Sequence, residues 1–70
     1  MSLVDKISIV TIKSYDGMYY YVTDELYFRV EKDAKKFLSD NGYLEGEKYK
    51  YIKDKENTAT LKNVKILWIL

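Results

Sequence analysis

Val64-Lys65-Ile66-Leu67-Trp68-Ile69-Leu70 contains the only Trp of the chain and its densest apolar run, and the fold is organised around it. Seven residues fall short of the roughly 20 that a membrane-spanning helix needs, but they suit one β-strand of ordinary length. Alternation puts Val64, Ile66, Trp68 and Leu70 on one face, and after Lys65 it puts Leu67 and Ile69 on the other. A strand with one face in water alternates apolar and polar residues. This one is therefore either central and covered on both sides, or part of an interface with another chain.

The stretch before it, residues 58–62, reads as a strand with Ala59 and Leu61 inward. It either turns at Lys62-Asn63 or runs through them with a bulge, and we read one long, bent strand. At the opposite end of the chain, residues 3–13 form a long strand rich in β-branched residues, from Val4 and Ile7 to Ile12. Ile7 and Ile9 share one face and Val10 and Ile12 the other, so a bulge lies near Ile9-Val10 or this strand too is covered twice. The first and last strands thus pair side by side in the middle of the sheet.

Ser14-Tyr15-Asp16-Gly17 is a hairpin signal, because Asp-Gly supplies the positive φ that tight turns require. A second strand, 18–23, follows, then a turn at Thr23-Asp24-Glu25 and a third strand, 26–30, with Leu26, Phe28 and Val30 inward. From Lys32 to Asn41 the period changes to about 3.6, with Val30, Ala34, Phe37 and Leu38 on one stripe. Asn41-Gly42 stops this helix. Residues 43–47 read as a loop, 48–53 as a fourth strand, and Asp54-Lys55-Glu56-Asn57 as a turn. The expected fold is α+β: a single domain over residues 1–70, with a mostly antiparallel sheet of about five strands in the order βββαββ and one helix on one face. A small curled barrel plugged by the helix is the alternative.

Composition narrows the function. Seventy residues lie near the lower limit for folding without disulfides or metal, so gaining a partner subunit matters energetically and a homodimer is expected. The net charge of +1 creates no long-range field towards nucleic acid or an anionic membrane. The absence of Cys suits a reducing compartment, and the N-terminus lacks the features of a signal peptide, so a cytoplasmic location is expected. With no His and no Cys, the usual general base and thiol nucleophile are missing, and no spaced acidic loop or phosphate loop is present. The reading is of a non-enzymatic protein without cofactor or metal site.

Eleven Lys against one Arg, eight Tyr and no Pro are what an AT-rich coding sequence tends to produce. In size and composition the chain resembles the short accessory and inhibitor proteins of phages and other mobile elements of AT-rich hosts. That resemblance implies binding and inhibition of a host protein in the host cytoplasm, of the anti-defence or host-regulation type. From the residues themselves, Tyr19, Tyr21, Tyr27 and Arg29 are expected on the outer face of the second and third strands, an aromatic patch with a cation suited to a protein partner. Leu67, Trp68 and Ile69 are the candidates for self-association. The alternative function is nucleic-acid binding through Lys48, Tyr49, Lys50, Tyr51 and Lys53, which interleave cations and rings as single-strand-binding surfaces do. Against it, alternation sends Lys48 and Lys50 to the face opposite Tyr49 and Tyr51.

Overall fold

The computed structural model describes the backbone of residues 2–69 and the side chains of residues 6–66. Along the chain run β1 (Ser2–Tyr15), β2 (Tyr20–Phe28), α1 (Glu31–Asp40), β3 (Leu44–Glu45), β4 (Lys50–Ile52) and β5 (Asn57–Ile69). The strands form one antiparallel sheet in the order β2-β1-β5-β4-β3, and the helix lies on one face, so the domain is α+β. The first and last strands are central neighbours, paired without a register break from Ser2↔Ile69 to Ser14↔Asn57. The β1–β5 register is unbroken, so the bulge expected at Lys62-Asn63 is absent, and so is the bulge that was one of the two alternatives at Ile9-Val10. The other alternative, cover on both faces, is not met either, since among the described residues only one face of the sheet carries the helix.

Directly paired residues share a face. Val10 pairs with Leu26 on one side and Leu61 on the other, and Ile12 pairs with Ala59, which pairs with Tyr51. These residues face the helix, whose Ala34 and Leu38 are fully buried, with Phe28 and Phe37 packed at the margin 5.6 Å apart. The spacing of Ala34, Phe37 and Leu38 supplies the stripe, and burying the larger of these side chains contributes on the order of 2 kcal/mol each. Gly42, at φ +86, ends the helix: its N–H donates to the Ser39 carbonyl and that of Tyr43 to the Leu38 carbonyl. This bond pair swings Tyr43 back under the helix, where it is buried.

The chain follows ββαβββ and departs from the expected order βββαββ at two places, both set by strand pairing. Thr23-Asp24-Glu25 is not a turn. Ile12 pairs with Asp24 while its neighbour Lys13 pairs with Val22, so Thr23 is the extra residue of a β-bulge and the two expected strands are one. The second departure is at the loop after the helix, where Leu44–Glu45 pairs with Tyr51 and Ile52 as a short edge strand. Tyr49 adopts φ 64, and its N–H donates to the Glu45 carboxylate at 2.9 Å. That left-handed residue delays the fourth strand until Lys50.

β2 pairs with β1 only from Ser8, because the chain leaves the sheet for the helix at Val30. β4 pairs with β5 only at residues 58–60, with one further bond from the Leu61 N–H to the Tyr49 carbonyl. Residues 2–7 and 64–69 therefore continue as a two-stranded ribbon, an arm beyond the helix-covered body. Fourteen residues of β1 at about 3.3 Å each account for the 49 Å long axis, against 23 and 18 Å across.

Candidate functional site

The face of the sheet opposite the helix carries no second layer among the described residues. Tyr27 sits there opposite Ile9, Glu25 opposite Thr11, Val22 opposite Lys13 and Tyr20 opposite Tyr15; β4 and β3 add Ile52 and Leu44. Tyr20, Val22, Tyr27, Leu44 and Ile52 are each between 55% and 76% exposed, an unusual load of large apolar groups for one face of a small domain. A shallow hollow of about 450 Å³ lies between Tyr20 and the β4–β5 pair, with Ile52, Thr58 and Thr60 along it.

Three contacts fix the rings. Tyr15 and Tyr20 stack with centroids 4.9 Å apart, and the Tyr15 hydroxyl donates to the Gly17 carbonyl at 3.0 Å. The Tyr27 hydroxyl donates to the Glu25 carboxylate, and that acceptor's hydrogen bond and charge push the phenol pKa up. The turn between β1 and β2 is held by Asp16, whose Oδ1 accepts the N–H groups of Met18 and Tyr19, both at 2.9 Å. Those bonds, that from Tyr19 first, hold the Asp16 carboxyl below the usual range. Asp54 acts alike before β5: the Asn57 side-chain amide, then the Glu56 N–H, lower its pKa.

The four residues expected to meet a partner do not converge. Tyr27 is on the helix-free face, but the Thr23 bulge sends Tyr21, paired with Ser14, to the other side. Tyr19 lies in the hairpin loop. Arg29, just past β2, lines a cleft of about 440 Å³ on the helix side with Lys6, Glu31, Tyr49, Asn63 and Lys65. Tyr20, Val22, Leu44 and Ile52 take the vacant places, and the signal for Tyr20 was present: the Asp16-Gly17 loop pairs Tyr15 with Tyr20, and the register follows from the turn.

The Lys48-to-Lys53 run is also split. Tyr51 is 5% exposed and belongs to the core, its hydroxyl pKa raised by burial, so its ring is not a stacking platform. Tyr49 is half-buried under Lys35 and Lys48, whose Nζ atoms stand 5.9 and 5.3 Å from its ring centroid. Lys53 stands 5.9 Å from the ring of Tyr43, and Lys50 pairs with Glu47 at 3.3 Å. The side chains of Leu67, Trp68 and Ile69 lie outside the described residues; their backbone belongs to the arm, opposite residues 2–4.

At the base of the arm, the buried Ser8 hydroxyl donates to Asn63 Oδ1 and Asn63 Nδ2 donates to Glu31 Oε1, both at 2.6 Å. This chain ties β1 and β5 to the first turn of the helix, and the bond from Asn63 lowers the Glu31 pKa. Among the described residues no three His, Cys, Asp or Glu side chains gather as a metal site, and no helix is long and apolar enough to cross a membrane. No protein-family model, curated protein or solved structure matches the chain.

Proposed function

We propose that the protein is a non-enzymatic protein-binding module that docks a partner on the helix-free face of its sheet. The observation that carries the reading is that face itself, with Tyr20, Val22, Tyr27, Leu44 and Ile52 more than half exposed on paired strands of the sheet. Fixed aromatic rings lose little rotamer freedom on binding, which favours them as interface anchors. Lys13, Lys50 and Lys62 lie around this centre on the same face, with Glu25 the carboxylate among them. The complementary surface is an apolar patch with an acidic rim on a folded protein. The fuller version, a mobile-element protein that inhibits a host protein in the cytoplasm, rests on size and composition.

The test is affinity capture from nuclease-treated host lysate with the wild-type chain and with Tyr20→Asp/Tyr27→Asp. One stoichiometric protein retained by the wild type and lost by the double variant, whose circular dichroism and melting are unchanged, is the expected result. Retained material that consists of nucleic acid, or capture that the double variant leaves intact, overturns the reading.

A further inference from the structure

The arm leaves a strand edge open. The Leu61 N–H reaches the Tyr49 carbonyl on the β4 side, so the period of two along β5 turns the N–H and C=O of Asn63, Lys65, Leu67 and Ile69 to that same side. Lys62, Val64 and Ile66 turn theirs to β1, in keeping with the unbroken β1–β5 register. Among the described residues nothing pairs with this edge after Leu61, because the chain before Lys50 is a turn held by Glu45 and Glu47. A row of unpaired amides and carbonyls accepts one kind of partner, another extended strand. An isolated two-stranded ribbon is marginal in water, and this one carries the most apolar stretch of the sequence.

We propose that this edge pairs antiparallel with the same edge of a second copy of the chain, with Ile66 on the two-fold axis. The register follows from three constraints. Outward-facing amides lie on odd-numbered residues, so odd must meet odd. Centring on Lys65 would set two lysines against each other and would bring the partner's Ile69 to Leu61, whose amide is already bonded to Tyr49. Centring on Leu67 shortens the pairing. Centring on Ile66 sets Lys65 opposite the partner's Leu67 and Asn63 opposite the partner's Ile69. The result is a four-stranded sheet across the dimer, with the two bodies at opposite ends and the interface isologous. This self-association uses different residues from the helix-free face and stands apart from the function proposed above.

Ile66 meets its own copy as a pair without mutual hydrogen bonds, where Cα atoms stand about 4.5 Å apart, within disulfide reach. The chain has no Cys, so Ile66→Cys gives a single thiol. Mild oxidation of Ile66→Cys should yield a crosslinked dimer at least ten times faster than oxidation of Thr58→Cys or Tyr27→Cys. In sedimentation, the wild type should be a dimer at micromolar concentration. Lys65→Pro, which removes an outward amide and leaves the β1 pairing intact, should be a folded monomer. A wild type that stays monomeric at millimolar concentration overturns the proposal. So does a dimer that crosslinks no faster at Ile66 than at the two control positions, whatever the folding of Lys65→Pro.

Discussion

β1 and β5 run through both the body and the arm, and the same two strands live in different surroundings at their two ends. In the body, Val10 and Leu61 are sealed between flanking strands beneath Leu38 and Ala34 of the helix. In the arm, a continuation of equal or greater hydrophobicity in sequence pairs, among the described residues, with neither β2 nor β4. Burial here follows from where β2 and β4 stop, and hydrophobicity alone does not assign a residue to the core.

Leu38→Ala should separate the body from the arm by the widest margin. The fully buried leucine should cost about 2–5 kcal/mol in denaturant titration, a large share of a small domain's stability. Ile66→Lys in the arm should cost the monomer less than about 1 kcal/mol while weakening self-association. Equal losses at the two sites would mean that the arm is as much core as the body.

The junction between the regions rests on the Ser8–Asn63–Glu31 chain. Asn63→Ala leaves the buried Ser8 hydroxyl without its acceptor and should cost about 1–3 kcal/mol by thermal melting. Hydrogen exchange should also quicken at the start of the helix and the base of the arm, and not in the β1–β2 turn. Smaller still, Gly42→Ala should cost about 1 kcal/mol, from the backbone conformation alone. A Cβ there meets only the flexible Lys53 side chain, at 3.7 Å from Cε, while φ +86 strains any L side chain.

The smallest effect is electrostatic and confined to the body. Asp16, Asp54 and Glu31 have folded-state pKa values below their unfolded ones, so the unfolded chain binds more protons in that window. Their contribution is full above the ordinary carboxylate range and is lost as pH falls through the lowered values, below about pH 4. Melting temperature should drop on acidification through this range. Asp16→Asn with Asp54→Asn should flatten that slope.

The helix was legible because Ala34, Phe37 and Leu38 repeat at its period and Asn41-Gly42 ends it. The central placement of the first and last strands was also expected, but the doubly apolar run 64–69 that suggested it lies in the arm, outside the span where β2 and β4 flank the pair. The candidate face was half legible. Tyr27 was placed by simple alternation, but one unpaired residue, Thr23, reverses the facing of everything before it in β2, and no local feature of Thr23-Asp24-Glu25 separates a bulge from a turn. The order of elements slipped for the same kind of reason. Merging two strands into β2 and gaining Leu44–Glu45 as β3 depend on pairing with distant residues, which local propensity does not encode.

Local chain chemistry sets the hairpin at Asp16-Gly17, the helix and its stop, and the apolar character of the first and last strands, and the chain has no His and no Cys. Tertiary structure decided which residues those strands could bury. Register is set by hydrogen bonds between residues far apart in the chain, and cover is set by where the neighbouring strands leave the sheet. Those two choices put Tyr51 in the core, Tyr20 beside Tyr15 on the helix-free face, and the open edge of β5 at the far end of the molecule.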